Sequence, residues 1–153
     1  MPPNATFSFI TDTATIAVFD PQRLEHRLAD SPDWWCLPAD ELSEINSGNL
    51  LSVSTGSDGK YEVELHLGSP ESAGPSVEAL VACESGRLFI GSGEEIPSDG
   101  LMPEAIRGGI FHSAVPGTYR VVVSRLAAWS LRVCLELVES PAQNSFRHSL
   151  QLK

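Results

Sequence analysis

The stretch GSDGKYEVELHL, residues 56–67, alternates in character with a period of two. Tyr61, Val63, Leu65 and Leu67 fall on one phase, and Glu62, Glu64 and His66 on the other. A β-strand sends successive side chains to opposite faces, so this pattern describes a half-buried strand with an acidic outer face. Related segments recur along the chain: NLLSVST (49–55), VEALVAC (77–83), RLFIG (87–91), GIFHSAV (109–115), TYRVVVSR (118–125) and SLRVCLELVE (130–139). Gly56-Ser57-Asp58-Gly59, Glu84-Ser85-Gly86 and Pro116-Gly117 are turn sequences, and they predict hairpins between the strands they join. In FSFITDTATIAVFD (7–20), Phe7 and Phe9 lie on one phase and Ala14, Ile16 and Val18 on the other, with Phe19 an apolar exception. The change of phase predicts a bulge near Thr11–Asp12 or two short strands. About eight strands with tight turns imply a mainly β fold. The expected architecture is a single-domain antiparallel β-sandwich or related barrel over residues 1–153.

Two short helices interrupt this pattern, near residues 21–29 and 39–46. Asp20-Pro21 reads as an N-cap followed by proline at the first helical position, and Leu24 and Leu28 share one face. Pro32 favours an end near Asp30-Ser31, because the residue before proline avoids helical geometry. In the second helix Leu42 and Ile45 pack inward, and Gly48 ends it. SGEEIPSDGLMPEAIRGG (92–109) is the longest irregular stretch and reads as a mobile excursion. In the tail after Pro141, Phe146 and Leu150 are the anchoring residues.

The chain carries twenty acids and ten Lys or Arg, a net charge of −10. Residues 1–76 hold twelve acids against three bases, and 28–59 contain no Lys or Arg. Direct binding to a nucleic-acid backbone needs the opposite sign; a basic protein partner would be steered toward such a surface. The three cysteines (36, 83 and 134) are odd in number and widely spaced, which suits a reducing compartment. The opening MPPNATFSFI lacks a basic leader, and no run of about 18 apolar residues occurs. A soluble cytoplasmic protein without a membrane span is expected.

Catalytic signatures are absent. There is no phosphate loop, HExxH, nucleophile elbow, CxxC or dinucleotide fingerprint, so no cofactor is expected. His26, His66, His112 and His148 have no metal-ligand spacing within one element. Cys36 is a poor nucleophile, because neighbouring aspartates raise a thiol pKa. Glu62 and Glu64 share a strand face about 6.5–7 Å apart, near a spacing that glycosidases use, but Glu-x-Glu is also how a solvent-facing strand reads.

DSPDWWCLPADE (30–41) holds two adjacent tryptophans among carboxylates. One reading is structural: Trp34 and Trp35 plug the open end of the sandwich while the aspartates cap helices. In the other, one indole faces outward as an anchor within a negative rim formed by Asp30, Asp33, Asp40, Glu41 and Glu44.

With the strands laid out, Phe7–Phe19, Pro116–Val123 and the general strand order resemble a family of small bacterial β-sandwich proteins. They also resemble, distantly, the ComJ-type competence-nuclease inhibitors. This resemblance implies a bacterial cytoplasmic sandwich that neutralises a toxic nuclease or another secreted effector. The expected function is therefore that of a non-enzymatic immunity or inhibitor protein with a basic toxin as partner. Its binding residues would be Asp30, Asp33, Trp34, Trp35, Asp40, Glu41 and Glu44, with Trp34 or Trp35 as the buried anchor. The alternative is a carbohydrate- or small-ligand-binding sandwich using a tryptophan as a stacking platform. An enzyme with a composite carboxylate site is a third.

Overall fold

The computed structural model describes residues 2–69 and 74–152. Its strands are β1 (Ala5–Thr11), β2 (Thr15–Phe19), β3 (Leu51–Ser54), β4 (Gly59–Leu67) and β5 (Ser76–Cys83). They continue with β6 (Arg87–Ser92), β7 (Ile110–Ser113), β8 (Gly117–Ala127), β9 (Ser130–Val138) and β10 (Leu150–Gln151). Two five-stranded sheets result, in the orders β1-β4-β9-β8-β5 and β10-β3-β2-β6-β7. The phase change at Thr11–Asp12 marks two strands in different sheets: β1 pairs with β4, while β2 lies between β3 and β6. Two ladders run parallel, β4 with β9 and β10 with β3, so the sandwich is mixed rather than purely antiparallel.

The three turn sequences expected to close hairpins do something else. β3 and β4, β5 and β6, and β7 and β8 are each split between the two sheets. Gly56–Gly59, Glu84–Gly86 and Pro116–Gly117 therefore carry the chain across the sandwich. A turn sequence specifies a reversal of direction, but burial of the flanking apolar faces decides whether the strands pair or part. Asp20 shows how one crossing is held. Fully buried, it caps the first helix by accepting from Gln22 N, and it accepts from Glu84 N, Ser85 N and Ser85 Oγ in the β5–β6 turn.

Between the sheets lies the main core. Phe9, Tyr61, Val63, Leu65, Val121, Val123, Val133 and Leu135 meet Ile16, Val18, Val53, Leu88 and Ile90. A second core covers the other face of the β2-containing sheet, where Ala17, Phe19 and Phe89 pack with Leu24, Trp34, Trp35, Ile45, Leu50 and Ile96. Every residue of β2 is buried because both its faces are covered, which accounts for the apolar Phe19.

The covering layer comes from two insertions. Residues 20–50 interrupt the β2–β3 pair, and residues 93–109 interrupt the β6–β7 pair. The first contains a 3-10 helix at Pro21–Arg27, a short 3-10 turn at Trp34–Cys36 and the α-helix α1 (Pro38–Asn46). α1 ends as its sequence implies. Gly48, at φ +75°, donates to Ile45 O and Asn49 N donates to Glu44 O, a Schellman closure that favours glycine.

Candidate functional site

Trp34 and Trp35 sit in the covering layer, not at an open end of the sandwich. Their exposures are 3% and 5%, so neither is an outward anchor or a stacking platform. The physical reason is the exposed apolar face of β2 and β6, which needs large side chains laid across it. Gly93 permits this close fit, since a Cβ there would fall 2.7 Å from Thr15 Cγ2 and 3.0 Å from Trp35 Cη2. Trp34 Nε1 donates to Pro97 O at 2.8 Å, which ties the first insertion to the second. The outward-facing indole is Trp129 in the β8–β9 turn, 49% exposed and packed against Tyr61 with ring centroids 5.2 Å apart.

The carboxylates of 30–44 have divided roles. Arg27, one residue before the base-free stretch, donates from Nε to Glu44 at 2.6 Å, and from Nη1 to Asp30 at 3.0 Å and Asp40 at 3.2 Å. Its guanidinium also lies 4.3 Å from the Trp34 ring centroid. Burial works to lower the Arg27 pKa, but the bonds to Glu44, Asp30 and Asp40 prevail and raise it. Glu44 is buried, which would raise its pKa, yet bonds from Asn49, Arg27 and His26 bring it below the ordinary glutamate value. Glu41 accepts from Ser52 Oγ at 2.7 Å and Ser149 Oγ at 2.9 Å. Asp30, Asp40, Glu41 and Glu44 are thus engaged within the molecule, three of them by the single cation Arg27. Asp33 remains exposed, its carboxylate accepting only from Ser31 Oγ among the described residues.

Residues 92–109 are firmly tied down rather than a mobile excursion. Buried Glu95 accepts from Glu104 N at 2.9 Å, Ile106 N at 3.3 Å and Arg107 N at 3.4 Å. Glu94 accepts from Thr11 Oγ1, Thr13 Oγ1 and Asp12 N, and pairs with Arg107 at 3.2 Å. Burial would raise the Glu94 pKa; the Thr13, Asp12, Thr11 and Ser92 bonds overcome it and lower it. Asp99-Gly100 forms a tight turn with φ of +48° and +73°, closed by Leu101 N donating to Ser98 O at 2.7 Å. The tip leans on the first insertion through Asp99 N to Asp30 O at 2.8 Å and Gly100 N to Leu28 O at 2.7 Å.

Where the insertions meet, a pocket of about 200 Å³ opens, with Pro32, Leu101, Met102 and Ile106 among its lining residues. Leu101 and Ile106 are 64% and 81% exposed. Asp99 and Glu104 also line it, and their carboxylates have no partner among the described residues. The first insertion contributes acidic Asp30 and Asp33 and the second this apolar pocket. Sequence reasoning treated them separately, because residues about 70 positions apart show no local sign of contact. The available signal was an acidic Asp-Gly turn followed directly by Leu101 and Met102.

The other chemical candidates are not assembled. Glu64 pairs with His66 at 2.9 Å and lies 3.7 Å from Arg132, while Glu62 lies 3.8 Å from Lys60. The adjacent depression is lined by His66, Arg132 and Cys134 but by neither glutamate. Among the described residues no group of three His, Cys, Asp or Glu is placed to hold a metal ion. Among the described residues no helix is long and apolar enough to cross a membrane. Cys36 is an exposed residue, yet partial desolvation of its thiol, together with the charges of Asp33, Glu41 and Glu94, raises its pKa, which disfavours the nucleophilic thiolate.

No curated protein matches the chain in sequence. Two solved structures share its fold. ComJ from Bacillus subtilis, described as an inhibitor of the DNA-degrading activity of NucA, superposes with a TM-score of 0.56 at 15% identity, over 89% of this chain and 97% of ComJ. The product of crocagin biosynthetic gene J gives 0.55 at 17% identity, over 87% of this chain and 97% of its own. At this identity the likeness establishes the fold. The profile of a family of unknown function, DUF6386, matches residues 3–152, and the chain belongs to that family.

Proposed function

We propose that this protein is a non-catalytic inhibitor or immunity protein of the bacterial cytoplasm, which binds a basic protein partner of the toxin or nuclease class. The docking face is the junction of residues 30–33 with residues 94–106. One observation carries this reading: Asp33, Asp99 and Glu104 have no cationic partner among the described residues, and Asp99 and Glu104 line a pocket with the exposed apolar Leu101 and Ile106. An apolar centre beside unpaired charge of one sign suits a partner of the opposite charge: charge raises the encounter rate and apolar contact slows release. The fold shared with ComJ supports an inhibitory role.

The role of the 30–44 region is correspondingly revised. Trp34 and Trp35 build the platform beneath the face, and Arg27 holds Asp30, Asp40 and Glu44 in place. The test is capture of the product of an adjacent toxin-like gene, followed by a nuclease assay on the complex. Asp33→Lys/Asp99→Lys/Glu104→Lys should slow association at least tenfold and remove most of its salt dependence, whereas Glu139→Lys should change little. Unaltered binding by the triple variant would exclude this face. Capture without any loss of nuclease activity would exclude inhibition.

A further inference from the structure

We infer that the pocket between the two insertions is a socket for a single arginine side chain of the partner. This rests on the docking-face reading and gives it a chemical class. At about 200 Å³ the pocket is smaller than a typical small-molecule site, and it suits one long side chain. Its apolar lining, Pro32, Leu101, Met102 and Ile106, matches the methylene stem of a long basic residue. Of its four acidic members, Glu94 and Glu95 are already engaged within the fold, so Asp99 and Glu104 would receive the charged end.

A further polar group, independent of the acids, is available to such an occupant. Ser98 lines the same pocket, is only 7% exposed, and has no hydrogen-bond partner for its hydroxyl among the described residues. The hydroxyl is not sealed from solvent, so it is available to an occupant of the pocket as donor or acceptor. Glu95 cannot serve as the main acceptor, since three backbone amides already engage its carboxylate. Guanidinium answers these demands better than ammonium. It has five donors in a planar fork, enough for two carboxylates and a hydroxyl, and its weaker hydration makes entry between apolar walls less costly.

The socket is prepared before anything enters it. Asp99 at φ +48° and Ala105 at φ +59° hold left-handed conformations that L-residues rarely adopt, and they flank the pocket-lining residues Leu101, Met102 and Glu104. Amides of residues 104, 106 and 107 converge on Glu95, fixing that segment from below. Such pre-organisation reduces the ordering cost of binding.

The test is an amide NMR titration of the whole protein with n-butylguanidinium, n-butylammonium and n-butanol in parallel. Butylguanidinium should give saturable shifts at Ser98, Asp99, Leu101 and Ile106, with a Kd on the order of millimolar, as befits so small a probe. Butylammonium should bind several-fold more weakly, and butanol more weakly still. Asp99→Asn/Glu104→Gln should weaken butylguanidinium at least tenfold, while its undisturbed spectrum elsewhere shows that the fold is retained. Equal binding of butanol would make the pocket a socket for an aliphatic residue and overturn the assignment, as would the absence of any saturable shift. The two proposals fail separately. Partner capture through this face without guanidinium binding removes the arginine assignment alone. Guanidinium binding with a partner indifferent to the triple charge reversal removes the docking face.

Discussion

Trp35 and Gly93 show how one residue's size is set by another. The indole covers the outer face of β2, and it fits because position 93 has no Cβ. Trp35→Ala should lower stability by about 3–5 kcal/mol, since the vacated space is large and enclosed. Gly93→Ala should cost about 1–3 kcal/mol through overpacking against Thr15 and Trp35. Urea unfolding followed by tryptophan fluorescence measures both, and a neutral Gly93→Ala would show that the layer yields at this point. Trp34 differs from its neighbour because its Nε1 bond to Pro97 O joins the insertions. Trp34→Phe retains most of the apolar area but loses that bond, so hydrogen exchange should quicken in residues 97–101 more than in α1.

At the level of elements, the 92–109 insertion is organised by carboxylates that face inward. Glu94 has a folded-state pKa below the ordinary value of 4.5. As pH falls, the unfolded chain takes up this proton first. The stability Glu94 contributes is therefore complete above about pH 4.5 and is lost as pH drops through the lower folded value. Glu44 has the same sign through Asn49, Arg27 and His26, so both insertions should loosen in the same acidic window. Thermal unfolding between neutral pH and about pH 3 should show this decline, and Glu94→Gln should flatten part of it. An unchanged slope in that variant would assign the acid sensitivity elsewhere. Ala105 offers a test of opposite direction. Its left-handed backbone is easier for glycine, so Ala105→Gly should be neutral or stabilising by up to about 1 kcal/mol, despite glycine's greater freedom when unfolded.

Across the whole molecule, the C-terminal tail closes the layers together. The Asn144 side chain bonds in two directions: its Nδ2 donates to Ile45 O at 2.7 Å and Leu80 O at 2.9 Å, and its Oδ1 accepts from Leu80 N at 2.9 Å. It thus joins α1 to the edge strand β5 and occupies backbone groups that an exposed edge would present to another chain. Phe146 and Leu150 do anchor the tail, packed against both cores. Gly48 makes room for it, since a Cβ there would fall 2.2 Å from Ala142 O. Asn144→Ala should destabilise by about 1–2 kcal/mol because it leaves part-buried backbone donors and acceptors without their protein partner. It should also promote concentration-dependent self-association through β5, visible by size-exclusion chromatography.

Local information in the sequence determined most of the strands, both helical segments and most inward-facing residues. It missed β10, and Leu67 and Leu137, on the apolar phase of β4 and β9, lie exposed while Cys134 on the other phase is buried. Period-two alternation in 60–67, the cap at Asp20-Pro21 and the glycine after α1 act over a few residues and are legible there. Which sheet each strand joins was decided only in three dimensions, because a turn such as Gly56–Gly59 permits both pairing and crossing. The candidate site belongs to the same class. Arg27 gathers three carboxylates that look free when charges are counted by segment, and Trp34 and Trp35 turn inward because β2 and β6 leave an apolar face to cover. Composition made the molecule acidic; long-range packing determined which acids remain unpaired and set them beside Leu101 and Ile106. Local chemistry is written in neighbouring residues, whereas a surface formed by two insertions exists only once the chain has brought them together.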